Sequence, residues 1–238
     1  MRKMILMLVG IIVLFPSIIS AMEINGSLAK MPVYAESSEK GVLVDLVKAV
    51  AEVSGNDINI KVLPFSASLN LIIFNKRDFH MPLIKNDVVN TDELKYLYST
   101  DTIFHVNFVI YSLKDKDINA QNISNFKVET DRAHINYFPF DVIPSNSIEQ
   151  SLLKVNSSEI DAFIFADFAT DPYLKQMDNK KIKRELYKRF DSKIVFPKNE
   201  KGKQMDELFI SALDKLRTSG KLQKIVAPID TQYDNWQP

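Results

Sequence analysis

The sequence of 238 residues contains no cysteine. This absence excludes a lipid-modified amino terminus, a disulfide framework and any thiolate chemistry, so the chain has to fold on its hydrophobic core alone. A surplus of charge is absent as well, because Lys+Arg and Asp+Glu both number 30 and the formal net charge is zero. This balance does not indicate nucleic acid or an anionic membrane surface as a partner.

Catalytic sequence patterns are also missing. The sequence has no G-x-S-x-G motif, no glycine-rich phosphate loop and no paired histidine–carboxylate motif. Its three histidines, His80, His105 and His134, are too far apart for a zinc motif. We therefore expect no enzymatic activity, no cofactor and no metal site.

The amino terminus carries the pattern of a secretory signal peptide. Arg2 and Lys3 precede an almost unbroken apolar stretch, residues 4–19, and two small residues follow it. This order of a basic, an apolar and a small-residue region predicts cleavage after Ala21 and a location in a bacterial periplasm. A single membrane anchor is the alternative, since the stretch is close to the shortest length that spans a membrane.

The remaining chain alternates between helical and strand patterns. Apolar residues recur at helical spacing in residues 41–54, and Gly55 is placed to end that helix. Residues 58–63 alternate between apolar and polar as a strand does, and Ser66 is placed to cap the next helix. Together with an apolar strand at residues 78–84, this order predicts a parallel β-α-β unit.

A second α/β block follows. It contains an apolar strand at residues 106–112, a helix with Ser147 and Gln150 placed as a capping box, and a buried strand at residues 161–167. The sequence KKIKRELYKR, residues 180–189, then predicts a solvated, basic helix face rather than a nucleic-acid patch.

The last strand and helix resume the character of the first block, and no linker rich in Gly, Ser or Pro separates the blocks. The chain is therefore expected to form a discontinuous first domain, with a second domain inserted between its two segments. This predicts one domain from residues 22–105 plus 192–238 and another from residues 106–191. Crossover strands near residues 104–111 and 190–196 would form a hinge between them.

Four segments in order resemble the type II periplasmic solute-binding proteins, in their polar amino-acid-binding branch. They are MPVY…KGVLVDLVKAVAE, LPFSASLNLIIFNKRDFHMPLI, SSEIDAFIFAD and LFISALDKLRTSGKLQKIV, which together cover almost all of the chain after the leader. The resemblance implies an α/β fold of two lobes joined by two hinge strands, closing on a ligand in the cleft. It also implies a monomer that captures a small polar solute for the membrane permease of an ATP-binding cassette importer.

Two alternatives to this function stay open. One is a ligand-sensing subunit that docks onto a membrane receptor instead of a permease. The other is an enzyme on the same fold, since a few relatives are dehydratases that act on ring carboxylates. Such an enzyme needs a general acid or base in the cleft, for which Glu129 and His134 are the candidates.

The resemblance also implies a cationic group for the ligand carboxylate. In the amino-acid-binding branch an arginine of the first lobe usually holds it, but the corresponding stretch, KNDVVNTDELKYLYS, contains none. This argues against an ordinary α-amino-acid site and leaves Lys85, after the strand MPLI, and Arg132, at an expected helix start, as candidates for an anionic group of the ligand. Either residue is otherwise a solvated surface cation.

Three further residues match ligand-binding positions of the family. Asp167 corresponds to the acid that meets an ammonium group, although it follows Asp161 one residue later than usual. Its alternative role is that of N-cap of the next helix, and the two roles are compatible. Tyr34 and Phe65 match positions that stack on the ligand, and core packing is the alternative for both.

Overall fold

The computed structural model describes residues 22–177 and 180–238, and the expected signal peptide lies outside this part of the chain. The strands are β1 (Glu23–Ala29), β2 (Asp57–Leu63), β3 (Phe79–Ile84), β4 (Tyr96–Tyr98), β5 (Phe104–Leu113), β6 (Val128–Asp131), β7 (Ile143–Ser145), β8 (Ala162–Ala166) and β9 (Ile182–Pro197). The helices are α1 (Val42–Ser54), α2 (Phe65–Ile73), α3 (Ile148–Asn156), α4 (Asp167–Gln176), α5 (Glu200–Thr218) and α6 (Lys221–Val226). No helix among these is long and apolar enough to cross a membrane.

All nine strands belong to one mixed sheet in the order β2-β1-β3-β9-β5-β8-β6-β7, with β4 added beside β9. In the first half of the sheet, defined as β1 to β4, β1 runs parallel to β2 and β3. In the second half, defined as β6 to β8, β6 runs parallel to β7 and β8. Helices α1, α2, α5 and α6 pack around the first half, whereas α3 and α4 pack around the second.

Strands β5 and β9 connect the two halves. They pair in antiparallel fashion from Phe104–Ser192 to Leu113–Ile182. Strand β9 continues beside β3 at one end, and β5 pairs with β8 on its other side. Both stretches expected to form the hinge lie in this strand pair, whereas the domain boundaries drawn from the sequence stay a prediction.

Local capping signals in the sequence are confirmed. Gly55 follows α1 with φ 69° and donates its backbone N–H to the carbonyl of Ala51, as expected of a left-handed glycine that ends a helix. The Ser147 hydroxyl accepts the backbone N–H of Gln150 at 3.3 Å and begins α3. The other half of the expected capping box is replaced, because the backbone N–H of Ser147 donates to the hydroxyl of Ser145 at 3.2 Å. The end of α1 and the start of α3 can be predicted from the sequence because a cap involves residues within one turn of each other.

Two local predictions are wrong. Helix α2 begins at Phe65 with Pro64 as N-cap and without a side-chain cap, so Ser66 lies inside the helix. The basic residues 180–189 do not form a helix either, because from Ile182 onward they belong to β9 and pair with β5. Hydrogen bonds to a strand about 80 residues away override the helix-favouring composition of this stretch.

Strand β1 is the central strand of the first half, and the sequence pattern does not reveal it. Its sequence EINGSLA contains Gly26, which has weak strand propensity. A Cβ atom at this position would overlap the buried ring of Phe79 on the neighbouring strand β3. The glycine therefore makes room for an aromatic ring of the core, at the expense of the local strand signal.

The segment after α6, residues 227–238, crosses to the second half and is held there by Arg184 of β9. The guanidinium of Arg184 donates to the carbonyls of Asp234 at 3.1 Å and Trp236 at 2.8 Å, and the Trp236 ring covers it at 4.4 Å. The Gln237 side chain accepts the backbone N–H of Arg184 at 2.9 Å and donates to its carbonyl at 2.8 Å. The tail is thus a third link between the halves, beside β5 and β9.

Candidate binding site

A cavity of about 390 Å³ lies where the two halves of the sheet face each other. Its size falls within the range of small-molecule binding sites. Residues from both halves and from the connecting strands line it: Met31, Tyr34, Phe65, Leu69, Pro82, Leu83, Ile84, Tyr96, Phe104, Val106, Phe108, Ala133, His134, Tyr137, Phe165, Ala166, Phe168 and Ser192. Eight of these eighteen residues are phenylalanine or tyrosine, so flat apolar rings dominate the walls.

The aromatic walls are built across the cleft. The ring of Tyr34, in the loop after β1, lies 5.6 Å from Phe104 of β5 and 5.4 Å from Phe168 of α4. On the opposite wall Phe165 of β8 lies 5.7 Å from Phe108 of β5. Tilted and edge-on ring contacts at these distances stabilise the arrangement beyond simple burial. The rings therefore hold one another in place around the cavity.

Two hydrogen bonds join the halves at the rim of the cavity. The Tyr137 hydroxyl donates to the carbonyl of Ile84 at 3.1 Å, and the Asn86 side-chain amide donates to the carbonyl of Asn136 at 2.9 Å. Ile84 is the last residue of β3 and Asn86 lies two residues after it, whereas Asn136 and Tyr137 belong to the 3-10 turn after β6. The two halves are therefore in contact at this edge of the cavity.

His134 provides a polar group in the aromatic wall. Its ring lies 5.5 Å from Phe108 and 5.4 Å from Phe165, and its Nδ1 lies 3.0 Å from a carboxylate oxygen of Asp131. This hydrogen bond, together with one from the backbone N–H of Ala133, lowers the pKa of Asp131. Because the carboxylate oxygen can only accept, Nδ1 donates in this hydrogen bond, and Nε2 is the ring nitrogen that Asp131 does not engage.

The sequence matches no family model and no curated protein. Among solved structures, the probable amino-acid ABC transporter extracellular-binding protein ytmK from Bacillus subtilis has a TM-score of 0.63 at 18% identity, over 90% of this chain and 100% of that one. The GluR0 ligand-binding core from Nostoc punctiforme, in complex with L-glutamate, has a TM-score of 0.61 at 16% identity, over 87% of this chain and 100% of that one. A histidine kinase sensor domain with similarity to periplasmic binding proteins has a TM-score of 0.62 at 15% identity, over 87% of this chain and 96% of that one.

The fold is that of the type II periplasmic binding proteins. The two-lobed α/β architecture expected from the sequence is thereby confirmed. At these identities the similarity establishes the fold, and the function has to be argued from the cavity.

In this type II fold, Tyr34 and Phe65 both line the cavity, as expected from the sequence. Tyr34 is buried, whereas Phe65 at the start of α2 is 40% exposed and its ring stands edge-on to His80 at 5.5 Å. Both residues are therefore available to contact a ligand, although a ligand-binding role stays a prediction.

The two candidate cations do not lie among the cavity-lining residues. Lys85 forms an ion pair with Asp87 at 3.2 Å, and Asp87 also binds Lys188 of β9 at 2.8 Å. Arg132 is exposed, and its Nε donates to the side chain of Asn146 at 2.7 Å. A role of either cation in binding an anionic group stays a prediction, to which these contacts lend no support.

Asp167 begins α4, with Ala166 as the N-cap, so it is the first helical residue rather than the cap. One oxygen accepts the backbone N–H of Phe168 at 2.7 Å, and the other accepts the Asn107 amide at 3.0 Å. Burial raises the pKa of Asp167, an effect that these hydrogen bonds partly offset. Burial, and to a lesser degree the Asp167 carboxylate, also raises the pKa of the Tyr34 hydroxyl. Asp167 thus lies beside the cavity wall, between the lining residues Ala166 and Phe168, and its contact with a ligand stays a prediction.

The two acid–base candidates differ in their position. Glu129 is buried away from the cavity and accepts hydrogen bonds from Ser151 at 2.8 Å and Lys154 at 2.7 Å. His134 does line the cavity. No group of three histidine, aspartate or glutamate side chains in the described part of the chain is arranged to hold a metal ion.

Several lining residues were not predicted from the sequence. Phe104, Phe108 and Phe165 lie in strands whose apolar pattern indicates core, and Phe168 follows the strand in the helix start. Ser192 carries no signal at all, because one serine in a strand is unremarkable in sequence. Its location at the crossing of β3, β5 and β9 is what brings it to the cavity.

Proposed function

We propose that this protein is a solute-binding protein that captures a small molecule by closing its two lobes over the cavity. The observation that carries the proposal is a cavity with walls from both halves of the sheet, closed by hydrogen bonds between them. A ligand in such a place contacts both lobes at once, so it favours the closed arrangement over an open one. Binding of this kind needs shape and contacts but no catalytic group.

The partner follows from the same proposal. A closed, loaded protein presents a surface that differs from the open one, and either an ATP-binding cassette permease or a sensor receptor can recognise it. The structural neighbours support both possibilities, because one is named as a transporter binding protein and another as a sensor domain. Loss of uptake of the identified ligand in cells that lack this chain would favour the permease.

Export is part of the proposal. The leader pattern of residues 1–21 predicts a protein that begins at Met22 and lies outside the cytoplasm. Mass spectrometry of the purified native protein measures its first residue. An intact Met1 in the membrane fraction would refute cleavage.

The sequence further predicts a polar, amino-acid-like solute with an anionic group. Within the proposed function this prediction depends on Lys85 or Arg132 turning toward the ligand, since both have other partners. A thermal-shift screen of residues 22–238 should therefore include amino acids, organic acids, polyamines and small sugars as well as neutral aromatic compounds. A ligand at 100 times its dissociation constant adds about 2.7 kcal/mol to the free energy of unfolding.

Closure is tested by removing one contact across the cleft. Asn86 donates across the cleft to the carbonyl of Asn136, but it does not line the cavity. Asn86→Ala removes one hydrogen bond of the closed form, worth about 1 kcal/mol, and should weaken binding of any ligand about fivefold. Asn90→Ala is the matched control. Both side chains accept a backbone N–H two residues later, Asn86 from Val88 and Asn90 from Asp92, but Asn90 has no contact across the cleft.

The radius of gyration in solution gives the second measurement. Small-angle scattering should show a smaller radius with saturating ligand than without it. A ligand that binds equally well to both variants and leaves the radius unchanged would refute capture by closure.

A further inference from the structure

The chemistry of the cavity walls restricts the class of ligand. The lining residues within the described part of the chain include no lysine, arginine, aspartate or glutamate. Three charged residues that flank lining residues are bonded to other groups: Lys85 to Asp87, Arg132 to Asn146, and Asp167 to Asn107. An ionised group of a ligand would therefore lose its hydration without a lysine, arginine, aspartate or glutamate side chain of the lining to pair with, which is strongly unfavourable.

The apolar walls suit a flat ring system. Tyr34 and Phe168 contact each other from opposite lobes at 5.4 Å, Phe108 and Phe165 contact each other at 5.7 Å, and each pair presents an apolar ring surface to the cavity. Aromatic side chains bind a planar ligand by burying both of its faces and by offset or edge-on ring contacts. A cavity of about 390 Å³ accepts a molecule of two fused rings with a short substituent.

One lining residue has a buried hydroxyl without a hydrogen-bond partner. Ser192 is fully buried in β9, lines the cavity, and its Oγ bonds to no other atom of the described chain. A buried polar group without a partner is costly, so such a group at a binding site marks a place where a ligand atom completes a hydrogen bond. His134, which also lines the cavity, offers a second polar point through Nε2, since its Nδ1 is engaged by Asp131.

We propose that the cavity binds a neutral aromatic molecule that carries a hydroxyl or N–H substituent. The rings contact the aromatic walls, and the substituent bonds to the Ser192 hydroxyl or the His134 imidazole. This inference rests on the proposed function, because it concerns the same cavity. It excludes the ammonium and carboxylate groups of an amino acid as the main points of recognition.

Three probes of nearly equal shape test the charge of the ligand. They are 1-naphthalenemethanol, 1-naphthoate and 1-naphthylmethylammonium, titrated calorimetrically into residues 22–238 at pH 7.5. The neutral alcohol should bind at least tenfold more tightly than either ion. Tighter binding of the carboxylate or the ammonium probe, or no measurable binding of the alcohol, would overturn the inference.

A pair of variants tests the hydroxyl. Ser192→Ala should weaken binding of 1-naphthalenemethanol about fivefold or more, while it leaves 1-methylnaphthalene, which has no hydroxyl, within twofold. The matched control is Ser112→Ala, because Ser112 is also fully buried without a hydrogen-bond partner but does not line the cavity. Equal effects of the two substitutions, or an equal loss for both probes, would contradict the assignment of Ser192.

Failure of this inference and failure of the proposed function are distinguishable. If amino acids bind, shrink the radius of gyration and depend on Asn86, the solute-binding function stands and the aromatic class is wrong. If the naphthalene alcohol binds without change of radius and without dependence on Asn86, the cavity is identified correctly and capture by closure is wrong.

Discussion

Arg184 should be the residue of the second lobe whose replacement costs the most stability. Its side chain is 1% exposed, and its guanidinium binds both carboxylate oxygens of Asp171, at 2.8 and 2.6 Å. Asp171 in turn accepts the hydroxyl of the buried Tyr111 at 2.7 Å, and Trp236 of the tail covers the guanidinium. Arg184→Met keeps most of the apolar stem but leaves the carboxylate in place without its cation.

The expected magnitude follows from the burial of the pair. Breaking a buried pair by removing one partner destabilises by about 3–5 kcal/mol, because an uncompensated charge remains inside. In addition, the carbonyls of Asp234 and Trp236 lose their donor, so only the bonds of Gln237 to the backbone of residue 184 still hold the tail to β9 at this position. For a chain of this size the loss corresponds to a fall in melting temperature of about 6–20 °C.

Urea unfolding followed by circular dichroism measures the change in free energy of unfolding. The matched control is Lys221→Met, since Lys221 pairs with Glu52 on the surface and both side chains are largely exposed. That pair should contribute roughly 0–1 kcal/mol. A third variant, Arg184→Met with Asp171→Asn, removes the unpaired charge and should be less destabilised than the sum of its single changes.

The reasoning would be refuted if Arg184→Met cost no more than Lys221→Met. An additive double variant would contradict the coupling between Arg184 and Asp171 specifically. In that case the tail contacts rather than the ion pair would account for any loss of stability.

Two further predictions concern the first lobe. Burial lowers the pKa of His80 from its ordinary value of 6.5 to about 4. Between these two values the unfolded chain binds a proton that the folded chain does not bind, so the free energy of unfolding falls as the pH decreases through this interval. The full loss in free energy of unfolding is roughly 3 kcal/mol. His80→Asn should therefore flatten the pH profile of the free energy of unfolding, measured with urea, between pH 7 and 4. Parallel profiles of the variant and the parent would contradict the assignment to His80. Gly26→Ala should lower the free energy of unfolding by about 1–3 kcal/mol, because its methyl group overlaps the Phe79 ring. Adding Phe79→Leu to this variant should restore part of the loss. A Gly26→Ala variant as stable as the parent would show that the ring has room to move.

What the sequence predicted correctly depends on short distances along the chain. The helical face of α1, its end at Gly55 and the cap at Ser147 involve residues within one or two turns, whose contacts hardly depend on the rest of the molecule. The order of these elements behind an expected export signal was enough to predict the two-lobed fold. Tyr34 and Phe65 were found because the resemblance placed them beside the cleft.

What the tertiary structure decided depends on partners far away in sequence. Strand β1 accepts a glycine because Phe79 fills the space beside it, and the basic residues after position 181 form a strand because β5 supplies their hydrogen bonds. The character of the cavity is decided in the same way. Lys85 and Arg132 are candidate ligand-binding cations in the sequence, and in the structure Asp87 and Asn146 are their partners. The residues that line the cavity are mainly aromatic. The sequence gives the chemical type of each side chain. The partner of that side chain, and hence its availability to a ligand, depends on which remote segments the fold brings together.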